Sequence, residues 1–510
     1  MLPLDWIVVV GYLALVAGIG MLAARRSDSG DSFFLAGRSI PAWAASFSVV
    51  ATVLSAATFV GMPQQAFRGD LSYMVFKFAG LPALLIVGIF FLPHYYRLAR
   101  ASIYGIVRDR FGDRAGMAAS GSFLVGRLLA SGSRLFMAAL ALSWAVFGDA
   151  SAGRLAVTIA VVALGTACYA IAGGIRAVVW TDVLQAVVAV VVGLVGLVVL
   201  LNTIDRPWSE IVDLLRTGTD RDKLRMFDPS TAPDGRFTIW TGLVGLPHFL
   251  VAAYSVDQDH VQRLMTCRSP REGLKAGVLS NLIGWPIALL FLLIGSLIWV
   301  EMQVGGTTTI VSNGDDRTVM VQFMLSGLPI GIRGLMIAGL LAAAMSSLDS
   351  ALNAMAATTI DDLVQPWRRR RGLPSLSDRT ITRWGRGSMI GWAGLLTLVA
   401  IGLAIWQSKD DRTLLEFALG VMSYAYAGLL GVFLVALFTR RGTAGSVVAA
   451  LAVGGICILA TEPLLVRAVD VDWLPRLALG WRMTIAVVLA TVVAAWPSGD
   501  RAAEPPVSGR

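Results

Sequence analysis

Ser346, Asp349, Ser350 and Asn353 stand at i, i+3, i+4 and i+7 in the stretch AAAMSSLDSALNAMAATT, residues 342–359. On a helix these four share one face, with Ser347 about 100° away from it. A small hard cation takes oxygen ligands, and this face offers hydroxyls, a carboxylate and an amide. The run that carries them, 333–358, is long and apolar enough to cross a membrane. An aspartate at the bilayer centre costs roughly 2.5–3.5 kcal/mol on insertion scales, so the face must look into protein or water. The same residue types also serve as hydrogen-bonding glue between spans.

A cation held there needs a second wall. The stretch SFSVVATVLSAATFVGMP, residues 46–63, carries Ser55 and Thr58 at mid-depth, then Gly61 and Pro63. A helix broken here would free the backbone carbonyls of residues 51–55 from the hydrogen-bond ladder. The stretch WTGLVGLPHFLVAAYS, residues 240–255, carries Gly242, Gly245 and Pro247. Five spans separate the starts of these two segments, an odd number, so a second copy would run in the opposite direction. Interrupted segments at matching places of two halves point to an inverted repeat with its binding site at the breaks. Two independently kinked helices are the alternative. Asp182, in GGIRAVVWTDVLQ (173–185), lies about one turn inside its span at the depth of Asp349 and Ser350. It either joins them or pairs with Arg176.

The elements that must position these groups are membrane helices. The chain has 510 residues, 56% hydrophobic and 15% charged. The pattern predicts an all-α polytopic membrane protein with about thirteen spans, near 4–24, 42–62, 72–94, 117–147, 154–173, 177–201, 237–262, 277–300, 333–358, 388–406, 413–438, 443–462 and 479–496. The first run is too long for a signal-peptide core and reads as a retained span. The net charge of +9 is not a nucleic-acid signature, because the arginines sit in short loops and set topology. Arg25, Arg26, Arg38, Arg97, Arg100, Arg108, Arg110, Arg114, Arg263, Arg268, Arg271, Lys275, the run Arg368 to Arg371, Arg440 and Arg441 fall on one side. Arg68, Arg154, Lys409 and Arg412 fall on the other. The rule then places the N-terminus outside and the C-terminus in the cytoplasm, in a plasma membrane. Three cysteines without metal spacing predict neither a disulfide framework nor a zinc site. No GxxxxGK[ST] loop is present to hold ATP phosphates.

The stretches LAGRSIPAWAASFSVVATVLSAATFVGM, GGIRAVVWTDVLQ, DQDHVQRLMTCRS and AAAMSSLDSALNAMAATTIDDL resemble the sodium/solute symporter family, which includes sodium–glucose, proline and sialic-acid symporters. The resemblance runs from the second span to about the twelfth. It implies the leucine-transporter-type fold: an extra helix and inner loop (1–41), a first five-helix repeat (42–201), an extracellular loop (202–236), an inverted second repeat (237–406), C-terminal helices (407–496) and a disordered cytoplasmic tail (497–510). It implies Na+ as the coupling ion, held by carbonyls of Ala51 and Leu54 with the carbonyl of Ala343 and the hydroxyls of Ser346 and Ser347. A second sodium, which some members bind, would fall to Asp182, Asp349 and Ser350, with Asp349 where a hydroxyl is common. An acid there could take a proton instead.

The solute groups of the sugar-carrying members are largely replaced. Thr58 and Lys77 stand where those members have an amide and an acid, and Leu250, Ala253 and Tyr254 where they have an asparagine and an aromatic pair. Lys77 and Arg134 are basic instead, and an arginine fork suits a carboxylate. The implied function is sodium-coupled symport of a small organic solute bearing a carboxylate, by alternating access, with Ser55, Thr58, Lys77, Arg134 and Tyr254 at the solute. Alternatives are a sugar or polyol symporter, or a proton-coupled carrier of the same fold. The partners implied are the solute and the bilayer, with no nucleic acid and no obligatory protein. An enzyme is not expected: Ser346 lacks a neighbouring base, and His248 and His260 lie toward span ends.

Overall fold

The computed structural model describes residues 1–24, 34–98, 101–305, 316–462, 466 and 476–496, with the side chains of 21–24, 169 and 172–174 outside it. Arg25, Arg26, Arg100 and the tail 497–510 therefore lie outside the described residues. The described chain is helical nearly throughout, with one isolated bridge, Asp228 to Thr238. Among the described residues eight helices are long and apolar enough to cross a membrane, and a bent pair, Ala42–Val53 with Ala57–Arg68, makes a ninth. Three shorter apolar helices and the interrupted seventh run complete the thirteen expected spans.

We label the elements that build the site. The first helix is α1 (Pro3–Ala24), and the broken second span is α2 (Ala42–Val53) with α3 (Ala57–Arg68). Next come α4 (Met74–Tyr96), α5 (Asp113–Phe147) and α6 (Ala152–Ile204). The 53 residues of α6 amount to about 80 Å of helix, more than twice the hydrocarbon thickness. It holds two expected spans as the apolar parts Ala152–Cys168 and Ile175–Ile204. The interrupted seventh run is α7 (241–255) and α8 (Gln258–Met265). After it come α9 (Pro270–Val304), α10 (Ile332–Arg370), α11 (Asp378–Gln407) and α12 (Leu414–Phe438). Helix α10 is central: 94% of its apolar window is buried, and it packs on α1, α2, α5, α6, α8 and α11. A helix with so little lipid contact can carry a polar stripe.

The breaks do not sit at the glycines and prolines that flag them. In the second span the ladder breaks at Leu54, which adopts φ −70°, ψ 77°, an inverse γ-turn, with Ser55 N–H donating to Val53 O at 2.9 Å. Gly61 lies seven residues on, where an added Cβ would meet Leu415, and Pro63 sits inside α3 just after the π-helical turn Ala57–Gly61, in which Met62 N–H donates to Ala57 O. In the seventh run the break falls at Val256–Asp257, about ten residues beyond Gly242–Pro247. Asp257 caps α8 there by accepting Asp259 N–H at 3.0 Å. Gly242 and Gly245 serve close packing instead, against Val75 and Gly480.

The loops gather into the two sets that the arginine bias separates. At one end Arg68 donates to Asp411 O, Lys223 donates to the carbonyls of Ala66, Phe67 and Gly69, and Arg225 pairs with Asp70. At the other, Arg38 donates to Tyr96 O and Leu98 O, Arg108 pairs with Asp362, and Arg369 pairs with Asp113.

Candidate functional site

Helix α10 meets the break of α2 at the polar stripe. Ser346 Oγ donates to Ala51 O at 2.8 Å. In an unbroken helix Ser55 N–H would bond Ala51 O, and Thr58 N–H would bond Leu54 O. Here Ser55 N–H turns to Val53 O and Thr58 N–H to Ser55 O. The turn at Leu54 thus releases two carbonyls. Across from them, Ser346 and Ser347 hydroxyls both lie 3.2 Å from Ala343 O. Four of these oxygens, from two helices, are linked by these contacts, and none of the five residues is more than 4% exposed. The hydroxyls now donate to carbonyls; turned about, their lone pairs would face a cation. Ala51, Leu54, Ala343, Ser346 and Ser347 thus offer three carbonyls and two hydroxyls, the donor types that an alkali ion takes.

Asp182, Asp349 and Ser350 also come together, around a side chain that the sequence reading treated only as a loop charge. Arg263 of α8 bridges them: its Nη2 donates to Asp182 Oδ2 at 3.1 Å and to Ser350 Oγ. Ser350 Oγ also lies 3.1 Å from Asp349 Oδ1. A buried ion-pair chain continues through Asp259, Arg127 and Asp257 to Tyr426. Arg263 is thus a buried core residue rather than a topology-setting loop cation: it lies on the short helix α8, whose residues are all buried, at 1% exposure. Its sequence signal was present as the i, i+4 pair Asp259 and Arg263 in DQDHVQR. Asn353, at the stripe's far end, accepts from Gln262 Nε2 at 3.0 Å and so joins α10 to α8.

On the other side of the α2 break lies a cavity of about 30 Å³ lined by Leu54, Thr58, Lys77, Tyr254, Ser280 and Asn281, among others. It has room for about one water, far below the volume of a solute pocket. Ser55, which is buried, and Arg134, which is half-buried, do not line it. Two cations are held here without an acid. Lys77 forms no ion pair among the described residues and sits over the Tyr73 ring at 5.8 Å. Arg134 places Nη2 3.7 Å from Met422 Sδ, and its buried Nη1 has no hydrogen-bond partner. The acids nearest to it by field, Asp257 and Asp259, are engaged by Arg127 and Arg263. Asn281 was missed in the sequence; its Oδ1 is buried and unpartnered at the cavity. Gly80 makes room for it, since an added Cβ would strike Asn281 Nδ2 and lie 3.2 Å from Tyr254 Oη.

A family model described as the sodium:solute symporter family matches residues 33–454. The chain belongs to that family. As a member it is a multi-pass membrane symporter with Na+ as its coupling ion, and not an enzyme. It is 28% identical over 485 residues to the sodium/sialic acid symporter NanT of Aliivibrio fischeri, covering 95% of this chain and 92% of that one. It is 28% identical over 438 residues to the human sodium-coupled monocarboxylate transporter 1, covering 84% of this chain and 68% of that one. A solved structure of a Na+-coupled sialic acid symporter superposes with a TM-score of 0.80 over 96% of this chain and 97% of that chain, at 24% identity. The nucleobase-cation-symport-1 transporter Mhp1 in a closed conformation gives 0.57 over 92% of this chain and 94% of that chain, at 16% identity. The fold of this family member is therefore the one that the two broken helices imply.

Proposed function

We propose that this symporter carries a carboxylate-bearing solute, with one sodium ion bound by Ala51, Leu54, Ala343, Ser346 and Ser347. The observation that carries the solute class is a pair of enclosed cations, buried Lys77 and half-buried Arg134, with no carboxylate on either among the described residues. A buried charge without a partner costs several kcal/mol, and an anionic ligand removes that cost. The relatives named above carry sialic acid and monocarboxylates, and another, the human sodium/iodide cotransporter, carries an inorganic anion. The unpartnered Asn281 Oδ1 adds an acceptor for a hydroxyl or amide of the same solute. Thr58 and Tyr254 line the same cavity, and Ser55 begins the helix that carries Thr58.

Sodium and solute meet across one turn of backbone. Leu54 offers its carbonyl to the ion while its side chain lines the cavity. An ion that fixes the α2 break also fixes the cavity wall, so each ligand raises the other's affinity by the same factor. The Asp182, Asp349 and Ser350 trio keeps the make-up of a second cation position, with Arg263 supplying the cation in this conformation. The arginine-rich end is the cytoplasmic one in this reading, with the N-terminus outside and the chain in the plasma membrane.

Uptake into proteoliposomes tests both halves. With a panel of N-acetylneuraminate, lactate, proline and glucose, in sodium and in potassium, the carboxylates are taken up only in sodium. Ser346→Ala and Ser347→Ala each raise the sodium concentration for half-maximal uptake by about tenfold or more, or about 1.4 kcal/mol. Uptake of glucose alone overturns the solute class. Sodium dependence unchanged in both variants overturns the ion site.

A further inference from the structure

Every N–H of one buried guanidinium is taken, and its acceptors bracket the sodium site. Arg263 Nε donates to Ser48 Oγ at 2.9 Å, Nη1 to Asp259 Oδ1 at 2.7 Å and Asp259 O at 3.1 Å, and Nη2 to Asp182 Oδ2 at 3.1 Å and Ser350 Oγ. Ser48 in turn donates to Asp182 Oδ2 at 2.5 Å. Five donors with five acceptors is the full capacity of the group. Ser48 stands three residues before Ala51 on α2, and Ser350 stands four residues after Ser346 on α10. One helical turn away from the contact of Ser346 with Ala51, the same two helices are thus joined a second time, through a side chain of α8. Ser350 closes the circuit by donating to Ser346 O.

We infer that Arg263 is a positioning residue for sodium: it fixes the separation of α2 and α10 at which their oxygens fit the ion. The inference rests on the sodium site proposed above. An ion held by ligands from two separate helices is bound only at one spacing of those helices. The ligands themselves are weak ties, a carbonyl and a hydroxyl in direct contact. The Arg263 clamp is stronger, because its bonds to Asp182 and Asp259 are charge-assisted. It also ties the spacing to α8, the second half of the other broken helix. Movement of α8 releases Ser48 and Ser350 together, which loosens the ion site without touching any of its ligands.

The test is a sodium titration of the purified full-length chain, read as thermal stability without solute, beside solute uptake at saturating sodium. Arg263→Lys keeps the charge but cannot span Ser48, Asp182, Asp259 and Ser350 at once. It raises the half-maximal sodium concentration tenfold or more, with the solute KM at saturating sodium changed less than about twofold. Ser48→Ala and Ser350→Ala each remove one strand of the clamp and raise it about threefold; they carry the test if Arg263→Lys does not fold. Combining Ser48→Ala with Arg263→Lys adds little, since both break one unit. Wild-type sodium titration in these variants, with the response lost in Ser346→Ala, overturns the clamp and leaves the ion site standing. A rise in solute KM with unchanged sodium response also overturns it. If Ser346→Ala itself titrates like the wild type, the ion site fails and the clamp with it.

Discussion

Lys77 is buried and Arg134 half-buried, each without a carboxylate among the described residues. Function explains an arrangement that folding does not. The account expects a trade: Lys77→Met removes an unpaired buried cation and fits the apolar walls of Phe76 and Val53. The solute-free protein gains thermal stability, by a few degrees in a melting scan, while sodium-dependent carboxylate uptake falls at least tenfold. A variant that melts lower and transports normally contradicts the assignment. At this scale the sequence was informative for Ser346, Ser347, Thr58, Lys77 and Tyr254, because a polar side chain in an apolar run is conspicuous. It was misleading on Arg263 and silent on Asn281. Arg263 stands beside other basic residues of a loop and reads as one of them, and an asparagine near a span end carries no signal until its neighbours are known.

The element that carries the stripe is anchored from outside itself. Helix α10 starts after Gly331, whose φ of +83° suits only glycine, and its first N–H groups have no partner within the helix. Asp5 of α1 supplies one: its Oδ1 accepts Gly331 N–H at 2.7 Å and Gly334 N–H at 3.2 Å. The extra first helix thus caps the ion-binding helix in trans. Asp5→Ala removes that cap and costs about 1 kcal/mol, the usual loss at an N-cap. A drop in melting temperature with unchanged sodium affinity in the surviving protein confirms a purely structural cap; no drop contradicts it. Broken helices were legible as a pair but not at the right residues. Gly and Pro mark where backbones approach or a helix changes pitch, as at Gly245 against Gly480 and at Pro63 just after the π-helical turn Ala57–Gly61. The breaks themselves are an inverse γ-turn at Leu54 and an aspartate cap at Asp257, and neither residue type announces a break.

Over the whole molecule, two broken helices meet one central helix, and the chain's charges are sorted by depth and by end. Span count and fold class were open to sequence reasoning because a bilayer admits few solutions: apolar length and loop arginines fix most of them. Which helices touch was not, since most of each span is apolar on every side and a few polar residues do not say which neighbour they face. The central claim is that one ion, seated where Ala51 and Leu54 face Ser346 and Ser347, prepares the place for the anion. Its most direct measurement is a reciprocal binding titration on the purified chain. The affinity for the transported carboxylate is measured over a range of sodium concentrations, and the affinity for sodium over a range of carboxylate, in the wild type and in Ser346→Ala. The account predicts equal coupling factors in the two directions for the wild type, at least about fivefold, and loss of both in Ser346→Ala. Carboxylate binding as tight in potassium as in sodium, or coupling that survives Ser346→Ala intact, would contradict it.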